Sequence, residues 1–375
     1  MVNVKNTSYH RELEKKIEKH GGLFNAHAHV DRAFTAGALY MSPKGLKEKQ
    51  SYTGILHRGE FYQKQSLYAR ISKFLEESAE LGIRRVDSFI DVATDIPLDD
   101  GLGALNVALE AKDDFKDIID FRVGAYPIFG FKDSDPKRWD IFVEAAKKAD
   151  FIGTLPERDD HEFYGNGKDH IGFEEHFLRT LQLGVELKKP LHYHVDQQNN
   201  PNEYGTDTLI DAIRWSRVSD EIKRLGKNEP FVWAVHSISP SRYGEARFNK
   251  LLDGFERYNV GINVCPDAAI SMRQLSIYSS PIGNSIANVL PFLERGIPVR
   301  VGIDNVDDDF MRLNTCDVRD QITNLANYIR FDQNPSILAK LGCGKLLDAD
   351  DINYVSDFLE VERDYLSKLK KNGCN

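Results

Sequence analysis

Short apolar runs alternate with longer amphipathic stretches along most of the chain. Each run is rich in β-branched or aromatic residues and is bounded by turn or loop residues, which is typical of a buried β-strand. Eight runs have this character: Gly22–His29, Arg85–Val92, Phe121–Ile128, Phe151–Pro156, Pro190–Val195, Phe231–Ser237, Val260–Pro266 and Val299–Asp304.

The stretches between the runs have helical periodicity. Apolar residues recur near helical spacing in Tyr68–Leu81, Phe177–Leu187 and Phe248–Tyr258. Strands that alternate with helices predict parallel pairing, because each parallel connection needs a crossover. Eight such units predict an α/β fold, the (β/α)8 TIM barrel.

We expect the whole chain, residues 1–375, to form a single barrel domain. A helix at about 9–20 precedes the first strand, and a helical tail covers about 335–372. The segment at about 32–66 contains a polar stretch punctuated by glycine and proline, Ser42–Gly54. It predicts a long loop over the barrel mouth, with a lid and an unstructured insertion as the two interpretations.

Composition excludes several classes of protein. The formal net charge of −9 comes without a basic stripe, which argues against a nucleic-acid partner. No apolar run approaches ~20 residues, so no membrane span is expected, and the polar N-terminus favours the cytoplasm. The cysteines form no CxxC pair, which argues against a disulfide framework or a cysteine zinc site. The expected partner is a small-molecule substrate, and a homo-oligomer stays open.

The candidate chemistry lies where the predicted strands end. His27 and His29 are two residues apart, so both side chains point to one face of the first strand. His194, His236 and Asp304 follow at the ends of the fifth, sixth and eighth runs. Barrel enzymes build their sites from the carboxyl ends of several strands, so these residues predict a metal site there.

The residue types suggest a division of roles. Three histidines and one carboxylate leave room for a water, whose pKa a divalent metal lowers towards ~7. Asp304 then serves as ligand and general base, while His236 holds the nucleophile or polarises a substrate oxygen. His192 lies two residues before His194 and is expected to pack inside the barrel.

Substrate contacts are expected in the loops after the third and fourth strands. Glu157 and Arg158 directly follow the fourth strand, and Arg158 is a candidate for facing a substrate carboxylate or carbonyl. Ile128 and Phe129 follow the third strand and predict an apolar pocket wall.

These motifs resemble the amidohydrolase superfamily, and most closely its cytosine deaminase branch, which includes triazine-ring aminohydrolases. Four segments carry the resemblance in the right order: NAHAHVDRAFTAG (Asn25–Gly37), HVDQ (His194–Gln197), VHSIS (Val235–Ser239) and GIDNVDD (Gly302–Asp308). The resemblance implies one Zn²⁺, with Fe²⁺ as the alternative, bound by His27, His29, His194 and Asp304. It also implies that His236 contacts the nucleophilic water and that Asp304 shuttles its proton.

The chain departs from this branch in three ways. Gln197 stands where the branch has a glutamate that protonates a ring nitrogen, and an amide cannot cycle a proton; Asp196 or Glu157 is then a candidate acid. Ile128 occupies the region of a base-recognising glutamine, which argues against cytosine. The accessory β-sandwich of most relatives is not expected.

The sequence thus predicts a metal-dependent hydrolase that cleaves a non-peptide C–N bond of a small polar or heterocyclic molecule. Gln197 is then counted with Asp304 and His236 among the catalytic candidates. One alternative is metal-dependent hydrolysis of an ester, a C–halogen bond or a phosphoester, since one fold hosts many reactions. The other is an inactive metal-binding relative, for which Gln197 is the main argument.

Overall fold

Eight parallel strands in chain order form one sheet in the computed structural model, which describes residues 7–38, 46–271 and 285–371. The strands are β1 Leu23–Ala28, β2 Ile83–Asp91, β3 Asp120–Tyr126, β4 Phe151–Thr154, β5 Leu191–Val195, β6 Val232–His236, β7 Val260–Val264 and β8 Val299–Val301. Each strand pairs in parallel with the next. All eight predicted strands are confirmed, and so is the (β/α)8 barrel.

Helices precede, separate and follow the strands. Before β5 they are α1 Ser8–Lys19, α2 Leu46–Arg58, α3 Lys64–Glu80, α4 Gly103–Phe115, α5 Lys137–Lys148 and α6 Phe173–Leu187. After β5 they are α7 Gly205–Trp215, α8 Ser219–Leu225, α9 Glu245–Tyr258, α10 Pro266–Ser271, α11 Val289–Glu294, α12 Val318–Tyr328, α13 Pro335–Gly342 and α14 Ala349–Lys371. Single 3₁₀ turns occur at Glu60–Tyr62, Leu98–Gly101, Pro156–Arg158 and Ser239–Arg242.

The helical predictions agree with these bounds except in the segment expected to be a loop over the barrel mouth. Its residues 39–45 lie outside the described part of the chain, but Leu46–Arg58 form helix α2. The prediction of a loop is wrong there, because α2 has a side that the barrel can cover: Thr53, Leu56 and His57 are buried. Helix α2 brings Leu46, Lys49 and Gln50 to the barrel mouth.

The barrel closes through a short seam between β1 and the residues after β8. The backbone N–H groups of Ile303 and Asp304 donate to the carbonyl of His27 at 3.0 and 2.9 Å, and His29 N–H donates to the carbonyl of Asp304 at 3.3 Å. The side-chain oxygen of Asn25 accepts from the backbone N–H of Ile303 at 3.2 Å. Residues predicted to bind a metal therefore also hold the barrel closed.

Aromatic side chains fill the barrel beneath its carboxyl-terminal mouth. Phe89, Tyr126 and Phe151 form a buried cluster that is separate from the larger core beneath the helices. Phe89 lies 5.0 Å from the ring of Phe151, and a Cβ at Gly153 would stand 2.3 Å from Phe89. His192 packs here as predicted, with its ring 4.7 Å from that of Phe151. The interior is thus a solid floor that supports the side chains above it.

The described cysteines Cys265, Cys316 and Cys343 are buried and free, as expected; Cys374 lies outside the described residues. None of the helices in the described ranges combines the length and the apolar character that a membrane span requires.

Candidate active site

The structure brings together the five side chains that were predicted at the strand ends. His27 lies in β1, His194 lies in β5 and His236 closes β6, while His29 and Asp304 follow β1 and β8. Ligand atoms of His27, His29 and His194 all lie within 4.8 Å of one another, and the same holds for His27, His236 and Asp304. Asp304 Oδ1 is 3.5 Å from Nε2 of both His27 and His29. Each of these two groups could hold a metal ion.

Two of these residues have unusual backbone conformations. His236 and Asp304 have φ values of 70° and 65°, in the left-handed region that non-glycine residues rarely adopt. Such conformations are costly and cluster at functional sites. Here they occur where a strand ends and its last side chain is needed at the barrel mouth.

Neighbouring groups fix the orientation of His194. Its Nδ1 lies 3.1 Å from the carbonyl oxygen of Thr154, which can only accept, so Nδ1 carries the proton and Nε2 offers its lone pair. Its ring also packs 4.8 Å from Phe89 and 4.6 Å from Tyr126. Partners of this kind hold a histidine in the tautomer that metal binding needs.

The donor atoms fit a metal because the protein satisfies few of them. Nδ1 and Nε2 of His27, Nδ1 of His29 and Nε2 of His194 are buried without a hydrogen-bond partner in the described structure. Burying so many unpaired polar atoms is unfavourable, and a bound cation removes that cost for the nitrogens that ligate it. The residues present therefore fit a divalent metal, although their role as ligands stays a prediction.

The protonation states also suit metal binding. Burial and nearby positive groups lower the pKa of His29 and of His194 well below the usual range, and burial lowers the pKa of His236 to about 4. These imidazoles are neutral near pH 7. Burial raises the pKa of Asp304, but the imidazole of His27, 3.5 Å from the carboxylate, the nearby ring of His236 and the charge of Arg32 outweigh it, so that its pKa is lowered. The carboxylate is ionised.

A cavity of about 240 Å³ opens directly above this cluster. Its floor includes His29, His194, His236 and Asp304, and Gln197 and Ile128 line its side. A volume of this size suits a small molecule rather than a polymer.

Three predicted substrate contacts lie outside the cavity. Glu157 sits behind Gln197, whose Nε2 donates to Glu157 Oε2 at 2.9 Å, and Arg158 lines the same small cleft beside Glu157. Phe129 packs against the ring of His57 at 5.5 Å. Burial and the charges of Glu203 and Asp196 raise the pKa of Glu157 well above its usual range. The turn after β4 directs Glu157 and Arg158 behind the cavity wall.

Asp196 also lies outside the residues that line the cavity. Its carboxylate accepts from the backbone N–H of Gly205 at 2.6 Å and from the N–H and hydroxyl of Thr206 at 2.9 and 2.5 Å, and Tyr243 donates to it at 3.1 Å. These donors occupy both oxygens, and the role of Asp196 toward the substrate stays a prediction. Asp196 anchors the start of α7.

Sequence reasoning missed several residues that line the cavity. They are Arg32, Lys49, Gln50, Tyr126, Phe310 and Met311. Tyr126 could have been found, because it ends β3. Arg32 follows the HxH pair by three residues, but it has no strand position to mark it. Lys49 and Gln50 come from a segment that was taken for a loop.

No protein-family model matches the chain. A curated relative, an uncharacterized protein of Haemophilus influenzae, is 28% identical over 280 residues, covering 70% of this chain and 87% of that protein. Because that relative is uncharacterized, the similarity indicates no activity for this chain.

Solved structures with similar folds are deaminases and amidohydrolases. A 5-methylcytosine deaminase of Klebsiella pneumoniae liganded with 5-fluorocytosine matches with a TM-score of 0.69 and 19% identity, covering 90% of this chain and 81% of that chain. An N-isopropylammelide isopropylaminohydrolase of Burkholderia multivorans matches with a TM-score of 0.62 and 15% identity, covering 90% and 75%. An amidohydrolase of Burkholderia ambifaria with bound zinc matches at 0.53 and 14%, covering 98% and 96%.

These similarities define the class of fold. The chain has the (β/α)8 barrel that the deaminase and amidohydrolase structures share, so the resemblance drawn from its motifs is confirmed at the level of the fold. At such identities the likeness extends to architecture, and the reaction must be argued from the site.

Proposed function

We propose that this protein is a metal-dependent hydrolase that cleaves a non-peptide C–N bond in a small polar or heterocyclic molecule. The observation that carries the proposal is the convergence of buried, unpaired imidazoles and one ionised carboxylate beneath a small cavity. The deaminase and aminohydrolase neighbours support the choice of a C–N bond.

His27, His29, His194 and Asp304 would hold one divalent ion, with Zn²⁺ as our first assignment and Fe²⁺ as the alternative. A zinc-bound neighbour favours the first. When bound, the ion supplies a water of lowered pKa and polarises the bond under attack. The remaining chemistry belongs to the residues of this chain.

Asp304 is placed to accept a proton from the attacking water, because its carboxylate is ionised and lies on the cavity floor. The water oxygen forms a bond to the substrate carbon, the C–N bond breaks, and the nitrogen leaves with the proton that Asp304 delivers. His236 stays neutral, and its Nδ1 has no partner in the described structure, so its ring can orient the water or the departing group.

Gln197 limits the substrate. Its amide can hydrogen-bond a substrate, but it cannot deliver a proton as a carboxylic acid does. The proposal therefore favours substrates whose leaving nitrogen takes its proton from Asp304, without prior protonation of a ring nitrogen.

The experiment measures metal content and amine release together. Purified protein is loaded with Zn²⁺ or Fe²⁺ and tested for release of ammonia or alkylamine from a panel of amino-substituted rings and small amides. We expect one metal ion per chain and turnover of at least one class. Replacing Asp304 by Asn should weaken metal binding and abolish turnover.

Asp87 provides the matched control. It is buried even more deeply than Asp304, but its carboxylate accepts from Arg85 at 2.7 and 2.8 Å and it does not line the cavity. Asp87→Asn should lower stability and keep both metal and activity. Full activity of D304N would refute the proposal.

The second candidate is an inactive metal-binding relative. The observation that favours it is Gln197, which stands in place of an acid. Metal binding without release of amine, alcohol, halide or phosphate from matching panels would favour it. Release of alcohol, halide or phosphate alone would favour hydrolysis of another bond.

A further inference from the structure

A buried arginine, Arg32, lines the cavity, and its side-chain donors make no hydrogen bond within the described residues. Arg32 is 3% exposed and lines the cavity beside His29 and Asp304. Within the described residues its side chain makes no hydrogen bond, and its Nε is buried without a partner. The nearest carboxylate oxygen, Asp91 Oδ2, is 3.8 Å from Nε.

Arg70 shows what a purely structural arginine does in the same region. Its Nη1 donates to the carbonyls of Asp31 and Ala33 at 2.8 Å each, and its Nη2 donates to the carbonyl of Phe61 at 2.6 Å. These contacts hold together the chain after β1. Arg32 makes no such contacts, so the fold does not account for its donors.

We propose that Arg32 binds a carboxylate of the substrate, so that the substrate class is small C–N compounds bearing a carboxylate. The inference rests on the proposed function for the bond cleaved. An arginine presents parallel donors that match a carboxylate. A neutral substrate that accepts no hydrogen bond would leave the guanidinium with its ion pair to Asp91 but with buried donors lacking hydrogen-bond acceptors, which is unfavourable.

The charges around the cavity point the same way. Arg32 and Lys49 line it, and among the described lining residues the single carboxylate is that of Asp304, which is assigned to the metal. Lys49 Nζ lies 3.5 Å from the carbonyl oxygen of Asp309, at the limit of a hydrogen bond. The carboxylate of Asp91 is 3.8 Å from Arg32 Nε but does not line the cavity, so the two charges that face a ligand beside Asp304 are positive and favour an anion.

The position of Arg32 is well defined. Its guanidinium carbon lies 5.2 Å from the centre of the Phe310 ring, and Phe310 lines the same cavity. Phe310, Ile128 and Met311 supply apolar walls. The site therefore suits a carboxylate attached to a flat, apolar or heterocyclic body.

The first experiment measures binding without turnover. Titration calorimetry on the zinc-loaded protein compares ligands that share a ring and differ by a carboxylate: orotate with uracil, and benzoate with benzamide, with inorganic phosphate as a separate arm. We expect at least one carboxylate to bind tenfold or more tightly than its neutral partner. Arg32→Met should remove that preference, and Arg32→Lys should retain part of it.

Arg70→Lys is the matched control. It should lower thermal stability, because its contacts are to backbone carbonyls, and leave the carboxylate preference unchanged. The proposal is overturned if neutral ligands bind as tightly as carboxylates, if R32M and R32K both keep the wild-type preference, or if phosphate alone binds.

The second experiment separates this inference from the proposed function. The amine-release panel includes each neutral compound and its carboxylated analogue. We expect turnover of the carboxylated member, with R32K raising KM more than it lowers kcat. Carboxylate binding without any amine release would refute the proposed function and leave the anion site standing. Amine release from neutral compounds alone would support the proposed function and refute the carboxylate site at Arg32.

Discussion

Gly302 lies in the seam that closes the barrel, and its replacement by alanine should damage the metal site without changing a ligand. A Cβ at this position would stand 2.4 Å from Cβ of His27, 2.7 Å from its backbone nitrogen and 2.9 Å from its Cα. Two of these atoms belong to the backbone of β1, so no change of rotamer can relieve the clash. Either β1 or the segment Gly302–Asp304 must move.

The size of the movement follows from these distances. Ordinary Cβ contacts begin at 3.4 Å, so the 2.4 Å contact requires a displacement of about 1 Å. Ligand distances in metal sites tolerate only ~0.2 Å. We therefore expect the metal affinity to fall by about 10–100-fold, the cost typical of lost support behind a ligand.

Global stability should change much less than metal affinity. Overpacking costs about 1–3 kcal/mol, which for a chain of 375 residues lowers Tm by roughly 1–4 °C. The decisive measurement is therefore competition for zinc between the protein and a chelator, with Tm of the metal-free protein recorded in parallel.

Gly244→Ala is the control, because a Cβ there meets nothing within 4 Å and φ is −63°. It should leave zinc affinity and Tm near their wild-type values. If G302A binds zinc as tightly as the wild type, the seam does not set the position of His27 and the reasoning fails.

Two further predictions concern buried ionisable groups outside the ligand set. Burial lowers the pKa of His57, but the carboxylates of Asp91 and Asp95, 3.1 and 2.7 Å from its nitrogens, outweigh it and raise the pKa to about 9. Its stabilisation is therefore complete below its unfolded pKa of ~6.5 and lost as pH rises through about 9, a change of ~3 kcal/mol. Denaturant unfolding between pH 6.5 and 9.5 should show this loss in the wild type and not in His57→Asn; equal slopes would contradict it. Asp196→Ala should reduce the free energy of unfolding by about 3–5 kcal/mol, because four donors lose their acceptor, and should leave KM unchanged. A raised KM at wild-type stability would return Asp196 to the substrate site.

Much of the fold was readable from local pattern. Strand periodicity and apolar runs depend on burial within a few residues, and for that reason all eight strands were predicted near their observed bounds. His27, His29, His194, His236 and Asp304 were found because strand ends in a parallel barrel must meet at one rim. The topology alone was enough to predict that these side chains converge.

The same reasoning fails for residues in the loops, because the side chain of a residue after a strand can point into the cavity or away from it. Glu157 and Asp196 follow β4 and β5 within three residues, yet the chain turns each carboxylate behind the cavity wall. Helix α2 was taken for a loop, because its buried side is created only by the barrel it covers.

The sequence by itself determined the barrel and the donor atoms at its rim, because both follow from short-range periodicity. The tertiary structure alone decided which charged groups face the cavity. Arg32 and Arg70 are buried arginines of the same region, and the placement of backbone carbonyl oxygens gives acceptors to both terminal nitrogens of Arg70 but none to Arg32 among the described residues. That placement depends on long-range packing, which no local pattern of residues encodes.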